Sequence, residues 1–318
     1  LAHWQNGVFL YDEPEEMPTF TVKLQGNIQE LLLDAYRRID EGQTARKSRQ
    51  KIDSEVCYAC PSANECNEDI RAKYLKADHC LWVARTNPEA EDPHDGLSAF
   101  EVELNRPGVT TGDIKGKMGV RAGSTGWIAC QDVRIPAENR IGEEGEGFKI
   151  AMSCLDNGRY TVAAGATGLI RACLEASVSY AHERQAFGRE IGKFQLIQAK
   201  IAGMVQSYEA ARLLYLVAGW MKNQGKRNTR ETSLAKWFAT DESFKAASEA
   251  IQVHGAYGYS DEYDVERYLR NSKGAVIYEG SNEIHQLIQA GYALDYRGET
   301  ALRKELPAYN AEFWQEAE

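Results

Sequence analysis

Prolines stand at 14, 18, 61, 88, 93, 107, 136 and 307, so none falls between 137 and 306. An interior proline costs a helix about 3 kcal/mol, so this long stretch is open to long helices. The sequence also lacks any apolar run near the roughly 18 residues that a membrane-spanning helix needs. No basic stretch followed by an apolar one marks a secretory leader. Residue 1 is Leu rather than Met, which leaves a lost upstream targeting segment open. Positive charge is in short supply: 37 Lys and Arg against 47 Asp and Glu leave a net charge of −10. That balance argues against a nucleic-acid partner, although a few local arginines still suffice to hold phosphates. Seven cysteines, an odd number unevenly spread, fit a reducing compartment better than a disulfide framework. Internal repeats and low-complexity tracts are absent.

The 318 residues, 43% apolar and 26% charged, suffice for two domains or one large one. Ile197, Ile201, Met204, Tyr208, Ala211, Tyr215 and Ala218 alternate steps of four and three, an apolar stripe down one helix face. Leu234, Trp237, Phe238, Phe244, Ala247 and Ile251 form a second stripe, and 146–182 and 282–294 are further helical candidates. Residues 145–300 therefore read as a bundle of long helices, followed by a tail over 301–318. Segment 80–144 differs. Leu81–Ala84 is a short apolar run, Phe100, Val102 and Leu104 alternate with polar neighbours, and Ile128, Cys130, Val133 and Ile135 nearly repeat that pattern. Turn signals at Asp95-Gly96 and Arg106-Pro107-Gly108 separate the runs, as in a small antiparallel β domain. Residues 1–79 give no clear fold beyond a helical pattern over Leu31–Ile39.

Three segments carry a resemblance. Residues 183–198 read Glu-Arg-Gln-Ala-Phe-Gly-Arg-Glu-Ile-Gly-Lys-Phe-Gln-Leu-Ile-Gln, then come Gln252-Val253-His254-Gly255-Ala256-Tyr257-Gly258-Tyr259 and Ile277-Tyr278-Glu279-Gly280-Ser281-Asn282-Glu283-Ile284. In this order and spacing they resemble the signature, the glycine-containing flavin-contact loop and the Tyr-Glu-Gly-Thr catalytic segment of the acyl-CoA dehydrogenase family. Lys117–Arg121 and Val133–Pro136 are similar to the family's second β segment, and Gly145-Glu146-Gly147-Phe148 to the opening of its first long helix. The resemblance spans about 80–300. It implies an α+β fold, a small antiparallel β domain followed by a C-terminal long-helix bundle. Leu155–Tyr160 and Ser260–Tyr263 lean toward short-chain and glutaryl-CoA dehydrogenases. The family's larger N-terminal helical domain and its flavin-ring contacts have no counterpart before residue 80, so 1–79 is a truncated or atypical N-terminal region.

The implied activity is α,β-dehydrogenation of a short-chain acyl-CoA thioester, glutaryl-CoA included. No side chain accepts hydride, so that part falls to FAD, while the protein supplies a base and stabilises the thioester oxygen. The resemblance gives the base role to Glu279; taken alone, the residue also reads as a solvated carboxylate at a helix start. For cofactor binding it implies Arg184, Phe187, Gln195, Gln252, Gly255, Ala256, Ser281 and Glu283; for substrate binding, Arg159, Asp156, Tyr278 and Gly280. Several have a plainer reading beside them. Arg184 pairs with Glu183 on the surface, Phe187 packs between helices, Gly255 caps a helix, Ser281 is an N-cap and Arg159 is a helix-surface charge. His254 and His285 read as hydrogen-bonded structural residues. Cys57, Cys60, Cys66 and Cys80 begin with a metal-like spacing, but the later gaps fit no zinc or iron–sulfur pattern, and no metal is expected.

The implied partners are an acyl-CoA, an electron-transfer flavoprotein and further copies of the chain in a tetramer or dimer. The implied location is the bacterial cytoplasm or the mitochondrial matrix. Two other readings stay open: an acyl-CoA oxidase with oxygen as acceptor, and a non-catalytic, flavin-free subunit of the same fold.

Overall fold

The computed structural model describes residues 79–297, except 122 and 124, and the backbone of three short antiparallel strands, β1 (His3–Gln5), β2 (Val8–Leu10) and β3 (Phe20–Thr21). Leu31–Ile39, Cys57, Cys60, Cys66 and the 301–318 tail lie outside the described residues. The chain divides into two compact units, one ending at Ser153 and the other beginning at Cys154.

In the first unit, β4 (His79–Arg85) and β5 (Leu97–Glu103) pair antiparallel from His79↔Glu103 to Arg85↔Leu97. The short β8 (Arg140–Ile141) adds to the far edge of β5. A separate ribbon joins β6 (Val109–Asp113) to β7 (Gly126–Cys130). The antiparallel character is as expected, but the alternation misplaces two strands. Val133 and Ile135 belong to none, because the chain breaks after Cys130 at Asp132, whose φ of 51° leaves the extended region. Leu104 likewise follows the end of β5. The strand that pairs with β7 is Val-Thr-Thr-Gly-Asp, which has no apolar alternation to announce it.

The second unit is helical. Its first helix, α1 (Gly147–Glu183), starts in the first unit and runs 37 residues, about 55 Å at the usual rise per residue. Ala163, Ala166, Ile170, Cys173, Ser177 and Tyr180 line its buried stripe. A two-residue hairpin of β9 (Gln185–Ala186) and β10 (Arg189–Glu190) and a 3-10 turn lead into α2 (Gln195–Asn223). There the expected stripe buries Met204, Ala211, Tyr215 and Ala218. Next come α3 (Thr229–His254), α4 (Val265–Ala275) and α5 (Asn282–Ala293), with α3 packed against α2, α4 and α5. No described helix is long and apolar enough to cross a membrane.

One helical expectation is corrected, and one helix had no individual signal. The buried face of α3 is Ser233, Lys236, Thr240, Ser243, Ala247 and Ala250, so of the expected stripe only Ala247 is buried, and Leu234, Trp237, Phe238, Phe244 and Ile251 are half-buried. Neighbours on several sides leave this central helix room for small groups, and two of its polar ones, Lys236 and Thr240, meet the 279–282 segment described below. Helix α4 gave no sequence signal because its buried face includes Arg267, Asn271 and Ser272; the Arg267 guanidinium is held by Asp264 at 3.1 Å.

Candidate functional site

Between α4 and α5 the backbone turns a tight corner. Glu279 and Gly280 both have positive φ, 56° and 89°. Glycine adopts this freely, but a glutamate held there is strained by about 1 kcal/mol or more. Two buried cations hold the corner. Arg159 of α1 donates from Nε to the Glu279 carbonyl at 3.2 Å, and Lys236 of α3 donates from Nζ to the Gly280 carbonyl at 2.7 Å. Arg159 is 8% exposed, so it is not a helix-surface charge. Its Nη1 pairs with Asp156 at 3.1 Å, and the other Asp156 oxygen accepts from Thr229 at 2.9 Å. As the structure stands, Asp156 and Arg159 are both engaged in fixing α1, α3 and the corner.

The Glu279 side chain lies against the backbone of α1. A Cβ added at Gly158 would stand 2.8 Å from Oε1 and closer still to the rest of the carboxylate, so the carboxylate occupies the space a side chain there would fill. Its Oε2 is buried and has no hydrogen-bond partner among the described residues. Buried carboxylate oxygens are normally satisfied, and an orphaned one points to a ligand as its partner. Beneath the corner lies His285, fully buried, its Nδ1 bonded to Ser233 at 2.9 Å. Burial, then the neighbouring charges of Lys236 and Arg159, push His285 down to about 4, so the ring is neutral near pH 7. Tyr278 is 39% exposed. Ser281 occupies the N-cap position of α5 but makes no capping side-chain bond. Instead its hydroxyl bonds the Glu283 carboxylate and holds it below the usual carboxylate range.

A second feature is a cavity of about 840 Å³ that gathers Arg184, Phe187, Gln195, Gly255 and Ala256. Gln252 is exposed on the last turn of α3 and does not line it, and neither do Ser281 and Glu283. Phe187 does not pack between helices: it is 95% exposed. Phe187 and Gly188 are the two central residues of the β9–β10 hairpin, with φ of 53° and 78°, the type I′ geometry that matches strand twist. The hairpin lifts the ring out, and it meets the Phe194 ring edge-to-face at 6.0 Å between centroids. Glu183 accepts from Ser179 at 2.7 Å, and the Arg184 guanidinium lies 5.8 Å from the centre of the Tyr257 ring. Arg189, Lys193 and the N-terminus of α2 add positive character to the lining. Gly255, at φ 61°, ends α3 as its cap and also lines the cavity. His254 is buried, donates from Nδ1 to Ala250 at 2.8 Å and stacks on Tyr180 at 4.3 Å. It is a satisfied structural histidine, as the sequence suggests.

Exposed aromatic faces, three cations and a helix N-terminus together suit an anionic ligand with flat rings, as the phosphates and ring systems of FAD require. Lys236 was missed in the sequence. Its one signal was a charge in phase with Ser233, Thr240 and Ser243 on a single helix face. Cys80, in β4, is a free thiol pushed up by burial and by Cys130.

Residues 145–293 match the acyl-CoA dehydrogenase C-terminal domain. The short-chain specific acyl-CoA dehydrogenase of Megasphaera elsdenii is 44% identical over 214 residues, 67% of this chain and 56% of that protein. The glutaryl-CoA dehydrogenase in complex with glutaryl-CoA superposes with a TM-score of 0.68 at 39% identity, over 70% of this chain and 56% of that one. A chain in the structure of the electron transferring flavoprotein of Acidaminococcus fermentans superposes with a TM-score of 0.67 at 41% identity, over 69% and 57%. This chain thus spans little more than half the length of these relatives. The helical bundle and these matches agree: the chain belongs to the acyl-CoA dehydrogenase family.

Proposed function

We propose that this chain carries the catalytic C-terminal part of an FAD-dependent acyl-CoA dehydrogenase acting on a short-chain thioester, with Glu279 as the base that takes the α-proton. The observation that carries the reading is the Glu279 carboxylate itself: one oxygen buried and unpartnered, on a strained corner that two buried cations and a helix backbone hold in place. A base must be aimed at its proton before its basicity matters. FAD, when bound, supplies the acceptor for the β-hydride that no side chain provides. Arg184, Arg189 and Lys193 suit its phosphates, and Phe187 and Tyr257 offer ring faces.

The likeness to a short-chain specific enzyme favours a short acyl chain, and the likeness to a glutaryl-CoA complex keeps a dicarboxylic thioester within the same class. An electron-transfer flavoprotein as acceptor is supported by the similarity to a chain solved with one. Assembly of several copies, in a dimer or tetramer, belongs to the same proposal. The test is a visible spectrum of the purified protein reconstituted with FAD, before and after anaerobic addition of butyryl-CoA or glutaryl-CoA. Flavin bands that bleach on addition support the reading. A protein that takes up no FAD supports a non-catalytic subunit instead.

A further inference from the structure

We propose that Lys236 is a positioning residue for Glu279: its side chain fixes the Gly280 carbonyl and thereby the corner on which the Glu279 carboxylate stands. The inference rests on the proposed role of Glu279 for its functional half; the geometric half stands by itself.

Peptide groups are rigid planes, so fixing two successive carbonyls fixes the φ and ψ between them. Arg159 holds the plane that begins at Glu279, and Lys236 holds the plane that begins at Gly280. Together they determine the conformation of Gly280 and anchor the peptide plane that carries the Glu279 Cα. Lys236 reaches the corner from 44 positions away in the chain. Its Nζ also donates to Asn282 Oδ1 at 2.9 Å, so one ammonium ties the two residues that flank Ser281. Thr240 donates to the same Asn282 oxygen at 3.1 Å, and the Asn282 amide donates to Asp241 at 2.7 Å. The negative charge that answers Lys236 is thus relayed through Asn282.

Packing does not explain a lysine at this place. The side chain is 0% exposed, and Arg159 adds a like charge nearby, while Asp241, Glu279 and Glu283 offset it in part. The neighbouring His285 is neutral near pH 7. Burial leads these effects and lowers Lys236 from its usual value to about 8. A methionine would fill a similar volume without desolvating a charge, but it has no donor for the Gly280 carbonyl. What the lysine adds is two directed hydrogen bonds, and both end on the corner.

The test compares Lys236→Met and Lys236→Gln with the wild-type chain by amide hydrogen exchange, and by kcat and KM with FAD and butyryl-CoA. In Lys236→Met, exchange over 277–282 should rise about 10- to 100-fold, the range for one charge-assisted hydrogen bond, while the interior of α3 keeps its protection. Turnover should fall by about the same factor, as displacement of a reacting group by about 1 Å implies, with KM nearly unchanged. Lys236→Gln, which keeps a shorter donor, should fall between, and it carries the comparison alone if the Met variant does not fold. Unchanged exchange at 277–282 in a folded variant overturns the proposal. So does a loss of protection spread evenly through α3, which is the mark of a merely structural lysine. If the corner loosens as expected but the wild type turns over no acyl-CoA, the clamp stands and only the base role of Glu279 falls.

Discussion

Arg159 and Glu279 lie 120 positions apart, and the guanidinium of the first donates to the backbone carbonyl of the second at 3.2 Å. The bond joins α1 to the corner before α5 and places the Glu279 carboxylate over Gly158, the one residue type that leaves space for it.

Gly158→Ala separates stability from function. Alanine in a helix interior is favoured over glycine by about 1 kcal/mol, and the atoms its methyl displaces are the mobile end of Glu279. Thermal unfolding should therefore be unchanged or slightly higher. Turnover with butyryl-CoA should drop about 100-fold, because the carboxylate must move. A variant that melts several degrees lower would show that Gly158 serves packing rather than the carboxylate.

Phe187 offers the complementary case. Its side chain is 95% exposed at φ 53°, so the fold gains nothing from burying it and carries its backbone strain. Phe187→Gly should leave stability unchanged or raise it by about 1 kcal/mol. If the ring stacks on the cofactor, FAD affinity should weaken about tenfold, the value of one aromatic contact. Equal FAD affinity in an FAD titration would remove Phe187 from the cofactor site.

His285 makes a pH prediction. Its folded value of about 4 lies below the ordinary 6.5, so between those values the unfolded chain binds the extra proton. Stability from this group is full above about pH 6.5 and is lost as pH falls toward 4. Melting temperatures measured from pH 7.5 to 4 should decline less steeply in His285→Gln than in the wild type. Parallel declines would mean that other groups set the acid limb.

The bundle was legible because α1 and α2 bury apolar residues at helical spacing, from Ala163 to Tyr180 and from Met204 to Ala218. Helix α3 was legible as a helix but not in its facing: its aromatic residues suggested the core, whereas Ser233, Lys236 and Thr240 occupy it. Hydrophobic periodicity cannot announce a buried face built to hold a polar corner. The same limit hid α4, with its buried Arg267 and Asn271, and β6, whose threonines and glycine carry no alternation. At the site, the motif drew attention to Glu279 and its chain neighbours. The contacts that fix them cross long sequence separations: Arg159 reaches the Glu279 carbonyl from 120 positions away and Lys236 reaches the Gly280 carbonyl from 44. Such pairs leave no local pattern.

The most direct test of the central claim is the anaerobic reduction of FAD-loaded protein by a short-chain acyl-CoA, followed at the flavin bands in wild type and Glu279→Gln. The variant should still bind FAD and acyl-CoA but reduce the flavin at least about 100-fold more slowly, as loss of a general base requires. Reduction at the wild-type rate would contradict the account and leave the α-proton to another group.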